Sequence, residues 1–370
     1  MIPSESALRR DGPPRLRARY GALELPYLPL ATLPTPVQRL DDLSGELRAE
    51  VWIKRDDLSA ELYGGNKVRK LELLLADALA RGLRRVSTFG AYGSHHCLAT
   101  ATYARALGLE VRLGLYPQPL TEHVLDDLVL SAATGAQLVR LRSVSCLPLV
   151  AALWKLLSPP GEVIPFGGSS PLGTVGYVEA GLELADQIAA DALPRPDAVV
   201  VAAGTCGTAA GLLLGLRLAG LATRVVAVRV VPKVVAHRGV IERLARGCLA
   251  LLRRAGLPPS AEPTPCAEVE LDPHELGRGY GHPTPAAEDA VARFAREGIE
   301  LETTYTGKAA AALLRRARED LAGKRLLFWN TFSSADLAAR LAAVDPARAV
   351  PPAFHDVLRA GGRLTPRPST

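Results

Sequence analysis

The stretch "DAVVVAAGTCGTAAGLLLGLRLAG", residues 197–220, decides the fold. A Val-rich run leads into a cluster of Gly, Thr and Cys, and a segment with apolar residues at helical spacing follows. The next segment, "RVVAVRVV" at 224–231, is again typical of a strand. This order predicts a βαβ unit, whose two strands lie parallel in one sheet.

The same order of strand, turn and helix occurs twice more. It is found in "RRVSTFGAYGSHHCLATATYARALG" at 84–108 and in "KRLLFWNTFSSADLAARLA" at 324–342. The sequence therefore predicts an α/β protein with open, twisted, mostly parallel sheets. In such sheets ligands bind at the carboxyl ends of the strands, which is where the Gly, Ser and Thr clusters fall.

Composition excludes several classes of protein. A chain of 370 residues with 48% hydrophobic residues can bury a large core, which argues against disorder. The net charge of +6 comes from arginines scattered among Ala and Leu, a pattern that does not indicate nucleic-acid binding. Residues 198–216 carry no charge, but glycines divide them into a strand and a buried helix. We therefore expect no nucleic-acid and no membrane partner.

The cysteines indicate a reducing compartment. They are odd in number, widely spaced and without a Cys-x-x-Cys pair, at positions 97, 146, 206, 248 and 266. This pattern predicts reduced thiols rather than disulfides or a zinc site. The N-terminal stretch has no apolar core of the kind found in signal peptides. We therefore expect a cytoplasmic protein.

The stretch "YGGNKVRKLE", residues 63–72, crowds scarce lysines onto the start of a predicted helix. Only seven of the 44 basic residues are lysine, and two of them are Lys67 and Lys70. Asn66 is a favoured N-cap residue, so Lys67, Arg69 and Lys70 fall in the first turn. Each cation there opposes the helix dipole by about 0.3–1 kcal/mol. A local rule broken in this way suggests a functional site.

A positive environment gives Lys67 a chemical use. It lowers the pKa of an ammonium group, and a neutral lysine amine can form a Schiff base with an aldehyde. The alternative interpretation is a solvated basic first turn without a special role.

A second site is predicted at the turn from Gly204 to Thr208. Glycines let backbone N–H groups converge, the following helix contributes its positive end, and Thr205 and Thr208 add hydroxyl donors. Such a turn suits a phosphate, although it matches neither nucleotide-binding glycine motif. An ordinary tight turn between strand and helix remains the alternative.

A third site is predicted where Ser94, His95 and His96 end a strand and open a helix. A serine hydroxyl and free N–H groups at that point could hold a substrate carboxylate, or Ser94 could simply cap the helix. Adjacent histidines point in different directions, so no metal site is predicted. Tyr280 and Tyr305 stand near glycine-containing turns, from which a phenol could reach a cleft.

Six ordered motifs together resemble one enzyme family. They are "GGNKVRKLE", "TFGAYGSHH", "IPFGGSSPLGTVGYVEA", "AGTCGTAAGL", "GRGYGHPT" and "YTGKAAAALL". Over residues 33–337 the chain is similar to the D-cysteine desulfhydrase and 1-aminocyclopropane-1-carboxylate deaminase family. Those are pyridoxal 5'-phosphate (PLP) enzymes with the tryptophan synthase β-like fold, fold type II. The resemblance implies a large PLP-binding lobe (1–69 and 166–370), a small substrate lobe (70–165) and a homodimer.

The resemblance also implies roles for individual residues. Lys67, with Asn66 beside it, matches the lysine that carries PLP. The phosphate-binding turn matches Gly204, Thr205, Cys206, Gly207 and Thr208, with Cys206 where a small residue such as glycine is common. The active-site tyrosines match Tyr280 and Tyr305, and the serine near the substrate carboxylate matches Ser94.

Two departures from the family pattern surround the expected substrate position. Residues 93–96 read Gly-Ser-His-His where the family usually has Gln-Ser-Asn-His, and residues 330–333 read Asn-Thr-Phe-Ser where it has His-Thr-Gly-Gly. We therefore expect Ser94, His95, His96 and Phe332 to contact the substrate, whose identity stays open.

One position indicates the branch of the family. Thr306 stands where the deaminases tend to carry an acidic residue, as in the desulfhydrases. A neutral hydroxyl from Thr306 or Thr331 beside the pyridine nitrogen would favour simple elimination. The expected reaction is elimination from a small amino acid, giving ammonia and a 2-oxo acid. The alternatives are a ring-opening deamination, another elimination, or a protein that binds PLP and amino acids without catalysis.

Overall fold

The structure is a computed structural model that describes residues 7–157 and 161–364. It divides into two compact units. The larger unit consists of Leu8–Leu73 and Ser169–Ala335. The smaller unit consists of Met1–Ala7, Leu74–Gly168 and Asp336–Thr370, of which residues 1–6, 158–160 and 365–370 lie outside the described part.

The described residues form two sheets. Their strands are β1 (Val37–Arg39), β2 (Glu50–Lys54), β3 (Arg85–Ala91), β4 (Glu110–Tyr116), β5 (Gln137–Arg140), β6 (Gly161–Val163), β7 (Ala198–Ala203), β8 (Arg224–Arg229), β9 (Val269–Asp272) and β10 (Arg325–Trp329).

Helices precede, connect and follow these strands. They are α1 (Pro14–Tyr20), α2 (Asp41–Leu47), α3 (Asn66–Ala80), α4 (His95–Ala106), α5 (Glu122–Ala133), α6 (Leu147–Leu157), α7 (Pro171–Ala189), α8 (Gly207–Leu218), α9 (Arg238–Arg254), α10 (Pro285–Arg296), α11 (Thr306–Arg316), α12 (Ala338–Ala342), α13 (Pro346–Ala349) and α14 (His355–Ala360). In the part of the chain that the structure describes, no helix is both long and apolar enough to cross a membrane.

The larger unit contains a six-stranded sheet in the order β1-β2-β10-β7-β8-β9. Every pair of neighbours is parallel except β1 and β2. Both faces of this sheet are covered by apolar side chains, as strand β7 shows. Val199 and Val201 pack in one apolar cluster and Ala198 and Val200 in another, because successive side chains of a strand point to opposite faces.

The strand order determines where the larger unit can form a site. Strands β2, β10 and β7 are adjacent and parallel, so their carboxyl ends meet at one edge of the sheet. The connection from β2 to α3, the segment 330–333 after β10 and the turn 204–206 after β7 all begin there. The sequence predicted this edge as the ligand-binding edge.

The smaller unit contains a four-stranded parallel sheet in the order β5-β4-β3-β6. Phe89 of β3 stacks on Trp154 of α6 with ring centroids 4.8 Å apart, which attaches that helix to the sheet. Helix α4 follows β3 after the turn that contains Ser94.

The predicted fold class is confirmed, since the chain is α/β with mostly parallel, open sheets. The sequence placed all of 166–370 in the larger lobe, whereas residues 336–364 pack in the smaller unit. Arg140 forms an ion pair with Asp356 at 2.7 Å, and a Cβ added to Gly361 would lie 2.2 Å from Leu125. These contacts join segments more than 200 residues apart, which no local pattern indicates.

Candidate active site

The glycine pair before α3 is required by a close approach of two backbones. Gly65 has φ +81°, and a Cβ added there would lie 2.4 Å from the carbonyl oxygen of Phe332. A Cβ on Gly64 would lie 2.3 Å from the carbonyl oxygen of Asp57. The Gly64 N–H donates to the Ser333 hydroxyl at 2.9 Å. The start of α3 is therefore held against the segment that follows β10.

Asn66 and Lys67 connect α3 to the turn after β7. The Lys67 ammonium donates to Asn66 Oδ1 at 2.6 Å, and Asn66 Nδ2 donates to the Thr208 hydroxyl at 3.0 Å. Burial lowers the pKa of Lys67 to about 8, while Glu302 opposes part of the decrease. The sequence predicted the lowered pKa from neighbouring cations, but removal of water is the main cause. The amine has the reactivity that Schiff-base formation needs.

Arg69 points into a buried ionic network. Its guanidinium donates to Asp56 Oδ1 at 2.7 Å and to Glu183 Oε1 at 2.9 Å. Glu183 also accepts from the Lys54 ammonium at 2.6 Å, and Asp56 accepts from Trp329 Nε1 at 2.8 Å. The expectation that Arg69 adds unbalanced charge to the first turn is therefore corrected, because two carboxylates compensate it.

Lys70 and Ser169 complete the turn after β7. Lys70 is only 2% exposed, and its ammonium donates to the Ser169 hydroxyl at 3.4 Å. That hydroxyl lies 2.6 Å from the Thr205 hydroxyl and accepts from the Gly207 N–H at 3.2 Å. Burial and the charge of Lys67 hold the pKa of Lys70 well below its usual range. An anion at this turn would oppose this decrease, because a nearby negative charge favours the ammonium form.

The geometry of the turn suits a phosphate. Cys206 has φ +67°, a conformation that favours glycine and that lets successive N–H groups point to one side. Gly207 begins α8, whose positive end faces the turn. A Cβ on Gly207 would lie 2.5 Å from the Ser169 hydroxyl and 3.1 Å from the Lys70 ammonium, so only glycine leaves this space open.

The two predicted tyrosines are brought together. Their hydroxyl oxygens lie 2.8 Å apart, and a Cβ on Gly204 would lie 3.3 Å from the ring of Tyr305. Thr306 is 1% exposed, and its hydroxyl donates to Glu302 Oε1 at 3.1 Å. Glu302 also accepts from the N–H groups of Tyr305 and Thr306. The Tyr280–Tyr305 pair therefore stands beside the turn, while Thr306 is engaged in the loop that starts α11.

The segment after β10 lies against the start of α3. The Asn66 N–H donates to the Thr331 carbonyl at 3.2 Å. Asn330 is fully buried, accepts from the Phe332 N–H at 3.2 Å and donates to the Glu300 carbonyl. The buried Asn330 side chain thus stabilises the conformation of this segment. Phe332 is 9% exposed.

Ser94 caps α4 in the smaller unit. Its hydroxyl accepts from the Cys97 N–H at 3.3 Å. A Cβ on Gly90 would lie 2.4 Å from that hydroxyl, and a Cβ on Gly93 would lie 2.8 Å from Cα of Val124. The departure from the family at Gly93 therefore has a physical reason, since α5 passes too close for a side chain. The Ser94 hydroxyl therefore lies at the start of α4, where the helix dipole is positive.

The two histidines after Ser94 have different surroundings. His96 is 4% exposed, and its Nε2 lies 3.0 Å from the Thr88 hydroxyl, which donates to the Ile164 carbonyl. This favours a role in packing over the substrate contact that the sequence predicted for His96. His95 is partly exposed, and its Nε2 lies 3.3 Å from Nε2 of His123.

The residues of the larger unit fit PLP. Lys67 offers an amine of lowered pKa for the aldehyde, and the turn at 204–208 offers N–H groups, hydroxyls and the Lys70 cation for the phosphate. Sequence reasoning missed Ser169 and Glu302. Ser169 reaches the site through a contact distant in sequence, and Glu302 reaches it through a loop without a recognisable motif.

Comparison with known proteins agrees with this geometry. Residues 28–331 match the family model described as pyridoxal-phosphate dependent enzyme. The chain is 36% identical over 313 residues to a Pyrococcus horikoshii protein named, provisionally, 1-aminocyclopropane-1-carboxylate deaminase, covering 83% of this chain and 92% of the relative. It is also 36% identical over 306 residues to a D-cysteine desulfhydrase of Salmonella schwarzengrund, covering 78% and 88%.

Solved structures give the same result. A crystal structure described as an ACC deaminase homologue superposes with a TM-score of 0.74 and 31% identity, covering 90% of this chain and 99% of that one. An L-serine ammonia-lyase from Rhizomucor miehei superposes with a TM-score of 0.57 at 19% identity, covering 87% and 99%, and shows the likeness of fold alone.

Proposed function

The chain belongs to the pyridoxal-phosphate-dependent enzyme family, and on that premise we propose that it eliminates a substituent from a small amino acid. The products are ammonia and a 2-oxo acid, as in a D-cysteine desulfhydrase. One observation carries this proposal. The Lys67 amine has a pKa lowered to about 8 and is linked through Asn66 to the phosphate-type turn.

In this proposal the larger unit holds the cofactor. Lys67 would hold PLP covalently, with Asn66 beside it. The 204–208 turn, formed by Gly204, Thr205, Cys206, Gly207 and Thr208, would hold the phosphate, with Ser169 and Lys70 as further donors. When bound, PLP supplies an electron sink for the substrate α-carbon. Thr331 is favoured over Thr306 beside the pyridine nitrogen, because the Thr306 hydroxyl already donates to Glu302.

Lys67 is also the proposed base. At neutral pH an amine with a pKa of about 8 is partly unprotonated, so it can accept the proton from the substrate α-carbon. The hydroxyls of Tyr280 and Tyr305 lie within one hydrogen bond of each other. A proton delivered to one phenol can therefore pass to the other, and the pair orients the substrate or moves protons.

The smaller unit is proposed to bind the substrate carboxylate. Ser94 supplies a hydroxyl at the positive end of α4, and His95 beside it stays a proposed substrate contact. Phe332 of the larger unit is retained as a proposed substrate contact that limits space. His96 is not retained, because its ring is buried and bonded to Thr88.

Two other reactions remain alternatives. The name of the Pyrococcus horikoshii relative favours a ring-opening deamination, and the changes at His95 and Phe332 favour a substrate larger than cysteine. A protein that binds PLP and amino acids without catalysis is the third possibility. Retention of Lys67, Ser94 and both tyrosines argues against it.

An amino-acid panel tests the reaction. The holoenzyme is incubated with D- and L-cysteine, D- and L-serine and 1-aminocyclopropane-1-carboxylate, and 2-oxo acid, ammonia and sulfide are measured. We expect D-cysteine to give all three products. Release of 2-oxo acid and ammonia from the cyclopropane substrate alone would instead establish the ring-opening reaction, and no turnover of any compound would establish the binding protein.

Lys67 is tested in the same assay. Lys67→Ala should lower kcat by about a thousandfold or more, because a base and the covalent attachment are lost together. Borohydride reduction followed by mass spectrometry should find PLP on Lys67 in the wild type and not in the variant. Lys233→Ala removes an exposed lysine and should change neither result. PLP attached to another lysine of the wild type would contradict the assignment.

We further propose a cytoplasmic homodimer. All five cysteines are free thiols, which agrees with a reducing compartment. Helix α6 exposes Leu149, Leu153 and Leu156, and a second copy of the chain is a suitable cover for such a surface. Light scattering during gel filtration measures the mass and tests the dimer.

A further inference from the structure

Three side chains of the smaller unit converge where α4 begins. His123 and Asp127 are four residues apart on α5 and therefore lie on one face of that helix. His95, the first residue of α4, faces them. Its Nε2 lies 3.3 Å from His123 Nε2, and its Nδ1 lies 3.5 Å from Asp127 Oδ2. His123 Nε2 lies 3.7 Å from the same carboxylate oxygen.

His95 Nε2, His123 Nε2 and Asp127 Oδ2 are one possible ligand set, and two of its distances, 3.3 and 3.7 Å, are close to those between ligand atoms of one metal ion. Zinc binds imidazole nitrogen at about 2.0–2.1 Å and carboxylate oxygen at about 2.0–2.2 Å, so neighbouring ligand atoms of a tetrahedral site are roughly 3.0–3.5 Å apart. One ligand atom from each of the three residues can be chosen so that all lie within 4.8 Å of one another.

We propose that His95, His123 and Asp127 bind one first-row divalent metal ion such as Zn²⁺. Two imidazoles and one carboxylate suit zinc, nickel or cobalt and do not suit Mg²⁺, which prefers oxygen ligands. The Asp127 side chain is 2% exposed and supplies the negative charge that offsets the positive end of α4. The His123 side chain is 42% exposed, so an ion can enter from solvent and keep a water ligand.

The sequence did not indicate this site. It weighed only the adjacent His95 and His96, which do point in different directions. His123 lies 28 residues further along the chain and joins them only because α4 and α5 pack together. The ion would connect these two helices, so it should stabilise the smaller unit by binding the folded state alone.

Equilibrium dialysis of the holoenzyme against ZnCl₂, with metal content measured by emission spectroscopy, tests the site. We expect the wild type to bind one more Zn²⁺ per chain than His123→Ala, whose affinity should fall at least tenfold. Zinc should also raise the melting temperature of the wild type more than that of the variant. Binding by the PLP phosphate is common to both proteins and cancels in the comparison.

His274→Ala is the matched control. His274 lies 3.0 Å from a buried aspartate, Asp272, but belongs to no group of three possible ligands among the described residues. This variant should bind zinc like the wild type. Equal zinc binding by wild type and His123→Ala, or binding of Mg²⁺ as tight as that of Zn²⁺, would overturn the proposal.

Discussion

At the scale of single residues, the pKa of the Lys67 amine depends on how far burial removes it from water. Lys67 stands at the start of a helix, yet burial rather than the helix dipole is the main cause of its lowered pKa. Lys70, one turn further, is buried more completely and lies beside the turn that suits a phosphate. We therefore propose separate roles for the two scarce lysines, one for the aldehyde and one for the phosphate.

The pKa of Lys67 predicts how covalent PLP binding depends on pH. Only the neutral amine attacks an aldehyde, and the neutral fraction rises as pH passes the pKa. We therefore expect the rate of covalent PLP capture by the apoenzyme to rise through a midpoint near 8, where the pKa of Lys67 lies, and then to level off. Stopped-flow absorption measures this rate. A rate that keeps rising toward about 10.4, the pKa of an ordinary lysine, would contradict the assignment.

At the scale of secondary-structure elements, the start of α3 depends on the segment after β10. The carbonyl of Phe332 lies where a side chain of residue 65 would be, and the Asn66 N–H donates to Thr331. The position of Lys67 therefore depends on backbone contacts from a segment more than 260 residues away in sequence.

Gly65→Ala tests this arrangement. The change forces a methyl group into a backbone oxygen at 2.4 Å and also places alanine at φ +81°. We expect it to lower the free energy of unfolding by about 2–4 kcal/mol and to weaken PLP binding. Chemical denaturation and cofactor titration measure the two effects.

Gly82→Ala separates the two causes. Gly82 has φ +67° but nothing within 4 Å of an added Cβ, so its substitution introduces backbone strain without the overlap. It should cost about 1 kcal/mol and leave PLP binding unchanged. Equal losses in both alanine variants would mean that the contact with Phe332 has no energetic role.

At the scale of the whole molecule, the buried ionic network joins elements of the larger unit. Arg69 of α3 donates to both Asp56 and Glu183 of α7. Lys54 of β2 also donates to Glu183, and Trp329 of β10 also donates to Asp56. Burial alone would raise the pKa of Glu183, but Arg69 and Lys54 hold it well below its usual range. The carboxylate is therefore charged in the folded state at neutral pH.

Arg69→Met should unfold the protein more easily. Removing the guanidinium leaves two buried carboxylates without their main partner, and we expect a loss of about 3–5 kcal/mol in the free energy of unfolding. Arg81→Met, at a side chain that is 50% exposed, should cost about 1 kcal/mol or less. Urea denaturation measures both. Similar values for the two variants would contradict the importance of the network.

The same network predicts a dependence on acid. Because the pKa of Glu183 is lowered in the folded state, its contribution is present at neutral pH and is lost as pH falls below about 4.5, the value of an unperturbed glutamate. In Arg69→Met this loss should be smaller, since the pKa of Glu183 is then less depressed.

Whether a feature could be predicted from the sequence depends on how far apart in sequence its interacting residues are. The βαβ pattern around residues 197–231 predicted the parallel sheet because strand, turn and helix are encoded locally. Lys67 and the 204–208 turn were predicted for the same reason. Ser169 and the position of the residues after Asp336 depend on contacts between distant segments and could not be read from spacing.

The enclosure of Cys206 has a consequence for chemical damage. Burial raises the pKa of this thiol to about 11, although Lys70 opposes the increase, so little of it is the reactive thiolate at neutral pH. Alkylating and oxidising agents attack the thiolate, and an adduct on this residue would fill the space proposed for the phosphate. The thiol nearest the proposed phosphate site is thus kept in the form that resists modification.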